Sequence, residues 1–393
     1  MSPRALPAAA LALALALAGC RAAPPPHPFA FPSPFERPDP RVRGTRVLSE
    51  DGGFLDWCAG SDRIAFSRER QRSGRSHVYT IRPDGSDLRC LTCGGLFPAG
   101  GAPGADPPAS PRAYYSSPAW HPSCEFLVIQ VAGPHAGGTA YERAPFGIHH
   151  DLWLVAADGS GAELLEQAEP LGGSMSPVFS QGGDRISWSA RRDTGEKVRP
   201  AFLDRTPGKQ NPWDGWHLAV ADFARPPGGP ALLSNRRELY AGEGGIKRPS
   251  ALDGETLWFS LTPNPRAYVD EIFRAQLDGS ERVNLSESPG TWEEQPQPSP
   301  WGTLVAYRSS LPTAWENPPQ PQGTLRLELW ALTRDGRRLP LTELNDANRH
   351  RRVLVQDFAW GPTGEEIALY TARIEAGQTP RYAIEILTLN AAF

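Results

Sequence analysis

Apolar positions recur along this chain as a short strand pattern written six times, each copy a turn followed by an apolar run. On one frame the copies are Trp57-Cys-Ala-Gly-Ser-Asp-Arg-Ile64-Ala-Phe-Ser, Trp120-His-Pro-Ser-Cys-Glu-Phe-Leu127-Val-Ile-Gln, Phe179-Ser-Gln-Gly-Gly-Asp-Arg-Ile186-Ser-Trp-Ser, Ser250-Ala-Leu-Asp-Gly-Glu-Thr-Leu257-Trp-Phe-Ser, Pro298-Ser-Pro-Trp-Gly-Thr-Leu-Val305-Ala-Tyr-Arg and Trp360-Gly-Pro-Thr-Gly-Glu-Glu-Ile367-Ala-Leu-Tyr. Self-similarity at this spacing marks a repeat architecture.

Four copies continue into a second block ending in Asp-Gly: Val78 to Gly85, Leu152 to Gly159, Ile272 to Gly279 and Leu329 to Gly336. Asp and Gly tolerate the positive φ of a tight turn, so each block predicts a strand entering a hairpin. Beyond the turn come Leu91-Thr92, Leu285-Ser286 and Leu341-Thr342. Each unit therefore carries four strands, the makings of a β-propeller blade. The last unit stops after its third strand, Tyr382 to Leu389, while Thr45 to Ser49 reads as an outer strand ahead of the first unit. Pairing the two closes the ring and removes two open edges. The expected fold is all-β: six four-stranded antiparallel blades, closed by the N-terminal strand on the C-terminal blade.

The unit resembles the WD40-like (PD40) repeats of the TolB family, on the strength of Ser117-Pro-Ala-Trp-His-Pro122, Ser176-Pro-Val-Phe-Ser180 and Asn284-Leu-Ser-Glu-Ser-Pro-Gly290. The resemblance covers essentially all of 41–393. It departs from the family at the N-terminus, where a proline-rich stretch stands in place of an α/β domain.

That terminus predicts export. Arg4 precedes an apolar run from Ala8 to Ala18, the length of a signal-peptide h-region and too short for a permanent span. It ends on Leu17-Ala18-Gly19-Cys20, which resembles the bacterial lipobox and implies lipidation of Cys20; Arg21 after it implies outer-membrane sorting. From 21 to 40, eight of twenty residues are proline, so the stretch reads as a semi-rigid tether of about 60 Å at ~3.1 Å per residue. The expected organisation is a signal peptide over 1–19, a lipidated cysteine and tether over 20–40, and a propeller over 41–393.

The net charge of −4 offers no basic field for nucleic acid. Besides Cys20, four cysteines remain in a chain bound for an oxidising compartment, which suits two disulfides. Cys58 and Cys124 fall near the ends of neighbouring inner strands, and Cys90 and Cys93 share an outer strand, so the pairing is expected as Cys58 to Cys124 and Cys90 to Cys93. Cys90-Leu-Thr-Cys93 as half of a zinc site is the alternative.

In a blade, the turns joining strands one to two and three to four share one face. The other connections share the opposite face, and these hold the excess length: 94–116, 131–150, 190–215, 235–248, 309–325 and 343–356. Long loops on one face of a rigid scaffold are where binding is usually carried. The candidate binding residues are His149, His150, Asp151, Trp213, His217, Lys247, Glu293, Glu294, His350, Arg351 and Asp357. Each has a plainer reading: His149 and His150 as loop-fixing hydrogen-bond residues, Glu293 with Glu294 as a solvated acidic edge, Arg349 to Arg352 as a solvated run. No Gly-x-Ser-x-Gly elbow or His-Glu-x-x-His motif is present. The expected function is a monomeric, non-catalytic platform, without cofactor, that binds an envelope protein, peptide or glycan and meets the membrane through its lipid. The alternative is an axial-pocket enzyme, such as a metal-dependent polysaccharide lyase using His149, His150, His217 or His350, with His149 and His150 the candidate metal ligands.

Overall fold

A computed structural model describes residues 42–70, 75–93, 114–136, 146–192, 214–243, 245–264, 269–311, 325–345 and 351–390, and among them there is no helix. Strand β1 is Val42–Ser49. Blade one is β2 (Leu55–Trp57), β3 (Ile64–Arg70), β4 (Arg75–Ile81) and β5 (Arg89–Cys90). Blade two is β6 (Tyr115–Trp120), β7 (Phe126–Ala132), β8 (His150–Ala156) and β9 (Ala162–Glu166). Blade three is β10 (Gly173–Phe179), β11 (Arg185–Arg191), β12 (Trp216–Ala224) and β13 (Leu232–Leu239). Blade four is β14 (Lys247–Asp253), β15 (Thr256–Asn264), β16 (Val269–Gln276) and β17 (Val283–Asn284). Blade five is β18 (Glu293–Pro298), β19 (Leu304–Ser309), β20 (Glu328–Thr333) and β21 (Arg338–Pro340). Blade six is β22 (Arg351–Trp360), β23 (Glu366–Glu375) and β24 (Arg381–Leu389), completed by β1.

The six four-stranded antiparallel sheets make a six-bladed propeller, closed as the sequence predicts: β1 pairs antiparallel with β24, Val42 opposite Leu389 and Val47 opposite Glu385. The repeat frame holds in five copies, where Trp57 faces Ile64, Trp120 faces Leu127, Phe179 faces Ile186, Pro298 faces Val305 and Trp360 faces Ile367. The fourth copy departs from it. Leu252, not Ser250, faces Leu257, because this hairpin closes on the tight Gly254-Glu255 turn with Gly254 at φ +57°.

The recurring polar residues satisfy backbone amides. In three Asp-Gly-Ser turns the Asp carboxylate accepts the Ser amide at 2.8 Å, from Ser86 to Asp84, Ser160 to Asp158 and Ser280 to Asp278. The intervening glycines take φ of +89°, +75° and +84°, which an L side chain resists. In the Leu-Thr and Leu-Ser pairs the hydroxyl accepts the third strand's amide: Val78 to Thr92, Ile272 to Ser286 and Leu329 to Thr342. The short fourth strands are thus extended by a side-chain bond.

The apolar faces meet between blades. Six clusters of buried residues fill the six gaps, one per pair of neighbours, such as Leu127, Ile129 and Trp153 against Ala65 and Val78. Closure therefore buries both faces of the central strands and turns the innermost strand edges inward. Those six edges surround the axis.

The cysteines pair as expected. Cys58 and Cys124, with Cα atoms 5.9 Å apart, staple blade one to blade two; Cys90 and Cys93, 5.6 Å apart, close within one outer edge. Zinc at an unpaired Cys90-x-x-Cys93 is thereby set aside for the oxidised chain. The expected signal peptide, Cys20 and tether lie outside the described residues.

Candidate functional site

An axial cavity of about 700 Å³ is lined by the inner strands of all six blades. Its walls come from bulged edge strands. In β6, β10 and β18 the ladder slips before a proline, and the preceding residue, Ser117, Ser176 or Gln295, takes φ of +48°, +52° or +60°. Proline suits an edge because no amide is left unpaired there, and a bulge re-aims side chains. Ser117, Ser176 and Gln295 accordingly line the cavity with Trp57, Trp120 and Phe179.

Charge is concentrated on blades four, five and six. Glu294 accepts from Arg248 at 2.5 Å and from Arg308, whose guanidinium also donates to the Gln356 carbonyl. Burial works to raise the Glu294 carboxyl, and the Arg308 and Arg248 guanidiniums overcome it, holding it down at about 2. Asp270, beside Thr262 and 3.7 Å from Arg248, goes the other way: burial and the Glu294 charge push it well above the usual range. The cluster thus sets a carboxylate held ionised between two arginines beside a carboxyl that burial makes hold its proton more tightly.

Two further acids tie blades together across the cavity wall. Asp357 Oδ2 accepts the Leu55 amide of blade one at 2.8 Å, and Oδ1 accepts the Phe358 amide at 2.9 Å and the Gln295 side chain. Asp56 accepts its neighbour Trp57 amide at 2.9 Å and the Trp120 amide of blade two at 2.7 Å. Burial outweighs these amides and raises Asp56 to about 7 and Asp357 to about 6. Asp56 keeps a partial opening onto the cavity, whereas Asp357 is 5% exposed.

Several polar atoms here are buried with no hydrogen-bond partner among the described residues: Gln295 Oε1, Ser250 Oγ, Arg248 Nε and Arg308 Nε. Buried polar atoms are normally satisfied, so a cluster of unsatisfied ones around a cavity marks places for a ligand or water.

Of the candidates named from sequence, Glu294 and Asp357 line this cavity. The solvated-edge reading of Glu293 and Glu294 is overturned, since both are buried. Strand alternation sends them to opposite sides: Glu294 inward, and Glu293 to Arg338 at 3.1 Å, with Ser288 and Thr291 also donating to it. His150 is buried against Gln130 (3.1 Å), which donates to the Phe146 carbonyl and accepts the Ser176 amide, so it fixes the loop and the neighbouring bulge. His149 adopts φ +60° beside it. Asp151 accepts the Ala168 amide at 2.8 Å, and burial raises it to about 6. Burial lowers His217, which lies 3.3 Å from Glu238. Lys247 is fully buried, its Nζ donating to the carbonyls of Trp216, Glu243 and Gly245, and burial lowers it to about 8. None of these six, Glu293 included, lines the cavity. Trp213, His350 and the side chain of Arg351 lie outside the described residues. Arg352 of the same run is half-buried on the cavity wall, against the solvated reading.

Among the described residues the one group of three potential metal ligands is His77, Cys90 and Cys93, and it includes none of His149, His150 and His217. The sequence reading missed Asp56, Asp270, Arg248, Arg308 and Gln295. Asp56, Arg248 and Gln295 sit on inner strands, Arg308 on a second strand and Asp270 on a third, and only the folded ring brings the last two to the cavity.

No protein-family model matches the sequence, and no curated protein matches it. Solved structures do. A TolB-assigned protein from Agrobacterium tumefaciens superposes with a TM-score of 0.50 at 15% identity, over 86% of this chain and 93% of that one. The likeness is one of fold. An oligogalacturonate lyase in complex with manganese gives a TM-score of 0.48 at 10% identity, over 90% and 95%.

Proposed function

We propose that this chain is a non-catalytic binding platform of the cell envelope, held to the membrane by lipid at Cys20, whose axial cavity takes an extended segment of a partner protein, peptide or glycan. The observation that carries this reading is the set of buried, unsatisfied donors and acceptors around a 700 Å³ cavity: Gln295 Oε1, Ser250 Oγ, Arg248 Nε and Arg308 Nε. A cavity of that size holds a ligand of a few residues and buries most of its surface. Trp57, Trp120 and Trp292 together with charged groups on blades four to six suit a segment with both apolar and polar side chains. The TolB-type fold supports the reading, and the proline-rich stretch ahead of the ring supplies the reach.

The alternative, an axial-pocket enzyme, draws on Asp56 and Asp357, acids tuned to about 7 and 6 on the cavity wall. Perturbed acids in a cleft are candidates for proton transfer. Their oxygens, however, are occupied by backbone amides of two blades, an arrangement that favours a structural clamp.

The test fills the cavity. Gln356 lines it and is half-buried. Crosslinking in intact envelopes followed by capture of the tagged chain is expected to recover a specific partner with the natural chain and to lose it with Gln356→Trp, at unchanged folding by circular dichroism. Equal recovery from both would overturn the cavity as the binding site. Turnover of a glycan or peptide panel that disappears in Asp56→Asn would replace binding with catalysis.

A further inference from the structure

Blade one carries a second constellation, at its outer edge and unconnected with the axial cavity. The antiparallel register sets Tyr79 opposite Cys90, so His77, two residues earlier on β4, lies on the same face one ladder step away. Cys93 follows one bend later, and one ring nitrogen of His77 and the two sulfurs all lie within 4.8 Å of one another. The imidazole is held in place from two sides. Its Nδ1 is 3.0 Å from the Thr92 hydroxyl, and its face stacks on Tyr115 of blade two with centroids 5.5 Å apart.

The two disulfides differ in kind. Cys58 is fully buried in the gap between blades and bonds across 66 residues. Cys93 is exposed at the rim, bonded across three, with the Tyr79 hydroxyl 3.8 Å away. A thiolate reductant must reach a sulfur in line, which exposed Cys93 allows more readily than buried Cys58 or half-buried Cys124. A bridge across so few residues also constrains the unfolded chain little, so folding protects it less than it protects the long one.

We propose that Cys90–Cys93 is a reducible disulfide that masks a zinc site formed by His77, Cys90 and Cys93. Reduction takes two electrons from an external dithiol: the bond between the two sulfurs breaks, each sulfur gains a proton, and the reductant leaves as its own disulfide. Zinc then displaces the two thiol protons and binds two thiolates and one imidazole. Tetrahedral zinc with Zn–S of about 2.3 Å separates its sulfurs by about 3.8 Å, a distance that side-chain rotation at Cys90 and exposed Cys93 supplies without moving β4. The Thr92 hydroxyl supplies the hydrogen bond that metal-bound imidazoles use for orientation. The fourth position faces solvent, open to water or to a ligand from another molecule. Oxidised, the site is closed; reduced, it takes zinc.

The experiment uses the full chain, oxidised and after mild dithiol treatment, with thiols counted by alkylation and mass spectrometry and zinc measured by competition with a chromophoric chelator. Two thiols that alkylate only after reduction, Cys90 and Cys93, with Cys58–Cys124 intact are expected, together with one zinc per reduced chain and none per oxidised chain. Cobalt bound in place of zinc is expected to give a thiolate-to-metal absorption band. His77→Gln, which retains both thiols, should weaken zinc at least tenfold, and the Cys90→Ser/Cys93→Ser pair should abolish it. Absence of zinc from the reduced chain, equal affinity in His77→Gln, or opening of Cys58–Cys124 at the same reductant concentration as Cys90–Cys93 would each overturn the proposal.

Discussion

Asp357 holds the ring shut at its seam. It extends from the inner strand of the last blade to the Leu55 amide of the first, and it is 5% exposed. Burial raises its pKa from 3.8 to about 6, so the folded state holds the proton more tightly than the unfolded chain. Its contribution to stability is complete below about pH 4, declines as pH rises through 6, and is constant above, a loss of roughly 3 kcal/mol at most. Asp357→Asn cannot titrate, and it turns an NH2 toward either the Leu55 amide or the donors on the other side. Leaving a buried donor unpaired costs about 1–3 kcal/mol. Denaturant unfolding should therefore find the variant weaker at pH 4, with the gap to the natural chain shrinking by about 2–3 kcal/mol by pH 7. A gap independent of pH would mean that Asp357 is ionised throughout. Such a role was hard to read from sequence, since Asp357 bonds to a residue 302 positions away. Glu294 was legible as a candidate, but its two arginine partners belong to separate strands that only the register brings together.

Blade order and strand count were legible because the blades share local chemistry: an Asp-x-Ser hydrogen bond around a positive-φ glycine in blades one, two and four, and a hydroxyl that accepts the third strand's amide in blades one, four and five. Where that chemistry is absent, the pattern failed to speak. Blade three turns between β12 and β13 at Pro226-Pro227-Gly228-Gly229, with Gly228 at φ +69° and no Asp-Gly, so it gave no hairpin block. The seam is legible for a different reason, namely that the count of strands at the two ends has to balance. Pairing of β1 with β24 covers the edge of a nine-residue strand rich in β-branched and aliphatic residues, and such edges recruit other chains when bare. A chain lacking residues 42–49 should lose its folded monomer and elute as soluble oligomer or aggregate in size exclusion with light scattering. A monodisperse, equally stable monomer would show that the seam contributes nothing.

Stability of the whole ring rests on six interblade clusters of similar make, reinforced in one gap by Cys58–Cys124. Closing a loop of that length restricts the unfolded chain by about 4 kcal/mol in the chain-entropy account. The Cys58→Ser/Cys124→Ser pair is expected to lower unfolding free energy by roughly that amount in urea, and a change under 1 kcal/mol would place the bond's effect in the folded state instead. The seam has one more consequence. Val42 pairs with Leu389, whose amide bonds to Glu365 in the turn between β22 and β23, so the chain enters the ring on the compact face of short turns. If the chain is held to a bilayer at Cys20, as proposed above, entry at Val42 sets that compact face toward the lipid and the strand ends that carry the long connections away from it. A partner tethered to the same leaflet would then have to reach around the ring to meet those strand ends, whereas one from the opposite side would meet them directly.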